Sequence, residues 1–425
     1  MKRVVILCVW LFSVVAGHAQ LSLDECRRLA RENYPEIRQY DLVHQTEQYN
    51  LSNAARAWIP QLAFSAQATW QTDAPNFPKE LTGMLAQQGL EIPGLRKDQY
   101  KVALELNQTI WDGGKSVADK RIARAEAAEQ KTMTDVDLYE LEGRVDDLYF
   151  GILLLDERIA QTNLTLNLLR SNLEKVRALQ RNGVAMQSDA DVLEAELLSV
   201  GQQLIQFESS CDSYRRMLGI FIGQKVGDRK LLRPSAVQPL SGESARPELA
   251  MFAAKIDRLM AQEKMVKSSS MPRLGFFAQG YYGPGLDYMQ SMMNSDWSWN
   301  AMLGVKLSWN FGAYYTQKNN LNKLRTSRQQ VEVQRDVFLF NMNLQAAQEN
   351  GDIARLRKAI ADDDRIVALR RSVREAAESK LRNGIIDTHD LLSKITDEST
   401  ASMARSMREI ELLKAIYEYK HTINR

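Results

Sequence analysis

Between residues 298 and 311, apolar and polar side chains alternate almost without fault. One face carries Trp299, Ala301, Leu303, Val305, Leu307, Trp309 and Phe311; the other carries Asn300, Met302, Gly304, Lys306, Ser308 and Asn310. A period of two predicts a strand with two unlike faces. Residues 60–72 repeat the pattern, with Leu62, Phe64, Ala66, Ala68 and Trp70 against Ala63, Ser65, Gln67, Thr69 and Gln71. Residues 100–111, with Val102, Leu104 and Leu106 against Lys101, Glu105, Asn107 and Thr109, and residues 272–282 read as two further strands. From about Lys115 to Gln180 the period changes. Leu138, Leu141, Val145, Leu148, Ile152, Leu155, Ile159, Leu166, Leu169, Leu173 and Val176 step by threes and fours, with Thr162 as one miss. This heptad predicts a helix of roughly 65 residues, on the order of 100 Å at 1.5 Å per residue. A second run, Leu339, Met342, Ala346, Ile353, Leu356, Ile360 and Val367, fails at Glu349, Asp363, Arg370 and Arg374, which predicts a weaker seam.

The order of elements occurs twice. Pro60-Gln61-Leu62-Ala63-Phe64 matches Pro272-Arg273-Leu274-Gly275-Phe276, and Pro35-Glu36 matches Pro247-Glu248 at the same offset of 212 residues. Arg181-Asn182-Gly183 matches Arg382-Asn383-Gly384 at an offset of 201. Repeats this long imply two related halves of one body, not a stacked array. Residues 20–225 form the expected first repeat, with a helix-turn-helix tip at 181–187. Residues 226–245, punctuated by Gly227, Pro234, Pro239 and Gly242, link it to a second repeat at 246–425 with its tip at 382–388. After each tip a helix returns, about 188–225 and 388–424. Residues 73–99 and 283–297 lie between paired strands and are expected to be external loops. Residues 1–19 read as a cleaved signal peptide: Lys2 and Arg3, an apolar stretch from Val4 to Val15, then small residues before Gln20.

Composition narrows the function. Without Lys2 and Arg3, the remaining 53 basic residues match 53 acidic ones, so nothing points to nucleic acid. No later segment has about 18 apolar residues in a row, so no transmembrane helix is expected. Cys26 and Cys211 are expected to be buried free thiols rather than a disulfide scaffold. His44, His389 and His421 have no metal-ligand spacing, and no nucleophile sits in a recognisable motif. The residues give no reason to expect an enzyme, a cofactor or a metal.

The strands carry the sharpest signal. At about 11–13 residues each, they have the length a tilted transmembrane β-strand needs. Running alternately outward and back, they place Trp58, Trp111 and Trp309 at one end and Trp70, Trp297 and Trp299 at the other. Two aromatic belts are the pattern of a membrane's two interfaces. Open strand edges are not tolerated in lipid, and four strands cannot close a barrel. The barrel must be shared between copies of the chain; three copies would give twelve strands around a polar bore.

Several segments then resemble those of the TolC-type outer-membrane efflux proteins. They are Leu21-Ser22-Leu23-Asp24-Glu25 with Asn33-Tyr34-Pro35-Glu36-Ile37, Ala57-Trp58-Ile59-Pro60-Gln61-Leu62, Gln108-Thr109-Ile110-Trp111-Asp112-Gly113-Gly114-Lys115, and the two Arg-Asn-Gly tips with Asp189 and Asp390. The resemblance covers essentially all of the chain after residue 19. It implies a homotrimer: a twelve-stranded membrane β-barrel plus a long α-helical barrel forming a periplasmic coiled-coil tube. Such a protein is a passive duct of a tripartite efflux or type I secretion system. Its tips dock on a periplasmic adaptor (membrane fusion protein), which joins an inner-membrane RND, ABC or MFS pump.

The resemblance also implies site roles. Arg181, Asn182, Gly183, Val184 and Ala185, with Arg382, Asn383, Gly384, Ile385 and Ile386, would form the adaptor-docking tips. Asp189 and Asp390 would line a pore constriction; as charges on the first turn of a returning helix they could equally be dipole partners. A second family aspartate is Ser393 here. The family's tip-latching arginine and tyrosine positions hold Ile386 and Leu381, so closure would be hydrophobic or use Arg382 or His389. The second exit turn, Trp309-Asn310-Phe311-Gly312, has one glycine where the first has two, which predicts a different turn geometry. A soluble periplasmic coiled-coil adaptor or scaffold is the competing class. It explains the helices and tips but leaves four amphipathic strands without a purpose.

Overall fold

The computed structural model describes residues 20–74, 77–89, 95–183, 185–235, 244–284, 296–383 and 385–424. The expected signal peptide lies outside them. In order, the elements are α1 (Leu23–Asn33), a 3-10 turn (Pro35–Arg38), α2 (Gln39–Arg56), β1 (Gln61–Trp70), α3 (Lys79–Gln87), β2 (Asp98–Trp111), α4 (Lys115–Arg181), α5 (Gln187–Ile222), α6 (Pro247–Ser268), β3 (Arg273–Pro284), β4 (Trp297–Ser308), α7 (Ala313–Arg382) and α8 (Thr388–Ile423). The chain divides into two compact units, one of residues 20–39, 132–250 and 335–425, the other of 40–131 and 251–334.

The second unit holds one four-stranded antiparallel sheet in the order β1-β2-β3-β4. Its register joins the alternating faces across all four strands. Leu62 pairs with Leu106, Leu106 with Ala278, and Ala278 with Leu303; one pleat along, Phe64, Leu104, Gly280 and Ala301 line up. The opposite face gives the rows Gln61, Asn107, Phe277, Gly304 and Ala63, Glu105, Gln279, Met302. On that face Ala103 and Tyr281 are buried and Gln279 donates to Glu105 at 2.8 Å.

Strand becomes helix after Trp111 because Asp112 caps α4. Its carboxylate accepts from the N–H of Gly114 at 2.9 Å, the N–H of Ser116 at 2.6 Å and the Ser116 hydroxyl. Gly113 and Gly114 both have left-handed φ, +69° and +85°. A Cβ on Gly113 would fall 2.8 Å from Met271 Cβ, so glycine is required there on two counts. The second exit turn differs, as its single glycine predicts: Gly312 is not among the left-handed glycines, and the Ala313 N–H donates to the Asn310 carbonyl at 3.3 Å. Between β1 and β2, where only loop is expected, Leu81, Met84 and Leu85 fall at helical spacing and α3 forms around them.

The first unit is built on the α4 heptad. Leu138, Leu141, Val145, Leu148, Ile152, Leu166, Leu169, Leu173 and Val176 are all buried. Thr162, the miss, is buried too, and its hydroxyl has no hydrogen-bond partner among the described residues. The Tyr149 hydroxyl donates to the carbonyls of Leu21 and Leu232, tying down the short parallel bridge of Leu21 with Leu231. The Asn33 amide donates to the Ile220 and Phe221 carbonyls at 3.1 Å, closing the end of α5. Cys26 and Cys211 are free and buried, as expected; burial, with Glu25 and Asp146 nearby, pushes the Cys26 thiol up to about 12.

The interrupted seam is polar rather than loose. Asp363 is buried and pairs with Arg408 of α8. Arg370 meets Asp397 at 2.8 Å, Arg374 pairs with Glu398, and Glu349 accepts from the Thr422 hydroxyl at 2.8 Å. Each heptad failure on α7 is thus matched by a polar partner on α8.

His421 of α8 stacks flat on Tyr139, ring centroids 4.2 Å apart, over Gly143. Burial, then the cations Arg246 and Arg27, lowers its pKa from 6.5 to about 4, against smaller opposing effects of Glu248 and Asp147. The folded state therefore binds fewer protons than the unfolded one between these values. Stability is full above pH 6.5 and falls as pH drops toward 4, by about 1–2 kcal/mol between pH 7 and pH 5. Thermal melting should show this loss, and His421→Gln should flatten that part of the profile; an unchanged profile in the variant would assign the pH dependence elsewhere.

Candidate functional site

The tips close by two different devices. In the first, α4 ends at Arg181, Gly183 takes a φ of +78°, and the N–H groups of Asn182 and Gly183 donate to Leu179 and Gln180. The N-cap of α5 is Met186, which has no oxygen to offer. Asp189 fills the need from the third helical position: its half-buried carboxylate accepts the Met186 N–H at 2.8 Å. In the second tip Asp387 is the N-cap and accepts the Asp390 N–H at 2.8 Å. The exposed Asp390 carboxylate has no partner among the described residues. The two aspartates hold matched places in the repeat but carry different structural duties. Asp387 was not singled out from the sequence, although an Asp three residues past the tip glycine and opening a helix is a preferred cap.

Both tips rest on one apolar core. Leu166, Leu169, Leu173 and Val176 of α4 meet Ala190 and Leu193 of α5, Ala377 of α7, and Leu391 and Ile395 of α8. Ala185, Leu381 and Ile386 pack on its margin. The two positions where the resemblance raises a latch are therefore held by the chain's own packing. Arg181, Asn182, Gly183, Arg382, Asn383 and His389 are exposed, and so is Ile385, 68% accessible although apolar. Val184 and Gly384 lie outside the described residues.

Among the described residues nothing covers the apolar sheet face. Leu62, Phe64, Leu303, Val305 and Leu307 are exposed, and Trp299 is 82% accessible. A contiguous patch of this kind marks contact with a partner or a membrane. The tryptophans sit at the ends of the strands. At one end Trp309 donates to the Ser270 carbonyl at 3.0 Å and packs on Phe311, and the Gln108 amide donates to the Trp58 carbonyl at 2.7 Å; Trp111 closes β2 beside them. At the other end Tyr282 lies 5.1 Å from Trp297 and 4.9 Å from Trp299, Tyr100 stacks on Trp297, and Trp70 ends β1 opposite Asp98. Tyr100 and Tyr282 join the cluster without having been foreseen; both fall on the tryptophan side of the alternation.

Among the described residues no three His, Cys, Asp or Glu side chains form a metal-binding group, and no helix is long and apolar enough to cross a membrane. Residues 27–223 match the model of the outer membrane efflux protein family. A comparison of the sequence with curated proteins finds no significant match. Among solved structures, the outer-membrane channel OprN aligns over 94% of this chain and 89% of its own at 14% identity, TM-score 0.70. VceC of Vibrio cholerae aligns over 94% and 95% at 14% identity, TM-score 0.67. CmeC of Campylobacter jejuni, also an outer-membrane channel, aligns over 94% and 85% at 14% identity, TM-score 0.65. The fold is that of these channels.

Proposed function

We propose that this chain, which matches the outer membrane efflux protein family across its first repeat and has the fold of outer-membrane channels over nearly its whole length, is a passive exit duct of a tripartite efflux or type I secretion system. It sits in the outer membrane with a long helical extension in the periplasm, and it performs no covalent chemistry. The observation that carries this reading is the sheet: an exposed apolar face bounded by tryptophans, backed by a polar face, with two free edges. Lipid tolerates no free edges, so closure needs other copies. Three chains give a twelve-stranded barrel whose apolar side meets lipid, whose polar side lines the bore, and whose helices form the periplasmic tube. The tips dock on a periplasmic adaptor that leads to an RND, ABC or MFS pump, with Ile385 as an accessible apolar contact.

The protein should resist high-salt washing, need detergent for extraction, and run as a trimer by native mass spectrometry. A monodisperse monomer, or release by salt, contradicts the duct and favours a soluble adaptor. Orientation is checked by labelling intact cells. A cysteine at Gln88, at the end of α3, should react with an impermeant maleimide, and one at Ala185 should not.

A further inference from the structure

The polar sheet face carries an unbalanced charge. Its inward-alternating positions include three cations, Lys101, Arg273 and Lys306, and one carboxylate, Glu105. Glu105 is engaged by the Gln279 amide at 2.8 Å. Among the described residues none of the three cations forms an ion pair. Lys101 lies over the Tyr281 ring, 4.8 Å from its centroid, with its backbone beside Gly283. Lys306 stands directly opposite Gly275, and Arg273 opposite Ser308. Neighbours with little or no side chain leave Lys306 and Arg273 room to extend away from the sheet. At the base of this face a concavity is lined by Arg273, Lys306, Asn107 and Phe277, and also by Glu105, Asp112, Lys115 and Asp119; there the Asp112 carboxylate caps α4, and Lys115 pairs with Asp119 at 2.7 Å. The lysines lie near opposite ends of the strands, so the excess is spread along the face rather than collected at one rim.

We propose that Lys101, Arg273 and Lys306 make the bore an anion-attracting segment, a second selectivity element opposite in sign to the aspartates of the tips. The proposal rests on the reading that three chains close a barrel with this face inward. Each chain then contributes a net charge of about +2 to the lining, and charges on the walls of a low-dielectric passage concentrate counter-ions within it. Cargo fitting such a lining is an organic anion or zwitterion, with the Phe277 ring beside the cations.

The test is the reversal potential across a planar bilayer under a KCl gradient. It compares wild type, Asp189→Asn with Asp390→Asn, Lys101→Gln with Arg273→Gln and Lys306→Gln, and all five together. With the tips neutralised, the channel should prefer chloride, and inorganic tripolyphosphate should block it. Removing the three cations as well should return the potential to near zero and abolish the block. Glutamine keeps the lining polar, and trimers on unheated gels show that each variant assembles; if the triple variant fails to assemble, Lys306→Glu alone, at an exposed position, should shift the potential toward cation preference. Open channels whose reversal potential ignores these cations overturn the proposal and leave the duct standing. If wild type forms no channel at all, the duct reading fails and the proposal with it.

Discussion

Changing Asp189 and Asp390 together to Asn is expected to abolish the pore's cation preference and its block by multivalent cations, while leaving the trimer assembled. In a trimer these side chains place six carboxylates on first helical turns near the tips, and a narrow acidic passage raises the local cation concentration. The substitution preserves structure for reasons visible at each position. An asparagine oxygen at 189 still accepts the Met186 N–H, and the bond from Asp390 to Asp387 uses the backbone N–H, which Asn retains. What remains is loss of charge at a helix start, about 0.3–1 kcal/mol per site. The single variants should differ. Asp390 is free of capping work and should account for more of the selectivity, whereas Asp189→Ala should cost more stability than Asp390→Ala. Equal reversal potentials for wild type and the double Asn variant would reduce both residues to helix-end charges.

Asp363→Leu is expected to destabilise the α7–α8 pair by about 2–4 kcal/mol, because it leaves Arg408 facing a buried position without its partner. Asp363 is buried while Arg408 is partly exposed, which keeps the cost below that of a fully enclosed pair. Adding Arg408→Leu should restore stability to wild type or above, since a packed apolar pair of similar size commonly equals a buried ion pair. Thermal melting of the detergent-solubilised protein measures both. If the double variant melts as low as the single one, the site needs its charges for more than mutual neutralisation.

The sequence made the sheet legible because a period of two leaves little freedom: a strand with Trp299, Leu303 and Leu307 on one side has only one face to show. Strand ends lie within a few residues of expectation for that reason. The α4 seam was equally readable, from Leu138 to Val176. The second seam was read only by its failures, since Asp363, Arg370 and Arg374 acquire meaning once Arg408, Asp397 and Glu398 stand beside them. Those partners are 24 to 45 residues away, beyond the reach of any local pattern. The tips show the same limit: the matched Arg-Asn-Gly turns suggested matched aspartates, yet Met186 in one and Asp387 in the other give Asp189 a burden that Asp390 lacks. The cations of the polar face were visible one by one, but that none of them forms an ion pair among the described residues depends on register.

A chain that contains the same plan twice risks folding with its own halves exchanged, α4 finding α7's place or α5 finding α8's. Two equally apolar seams would let such errors persist, because leucine accepts leucine in any register. The acidic and basic positions on α7 remove that tolerance. Set against an aliphatic stripe, Asp363 would be stranded without its counter-charge and Arg374 would keep only Glu375 and Glu378 of its own helix, and a slip along α8 would part them from Arg408 and Glu398. The weaker-looking half is in this sense the half that tells the nascent chain which hairpin is which.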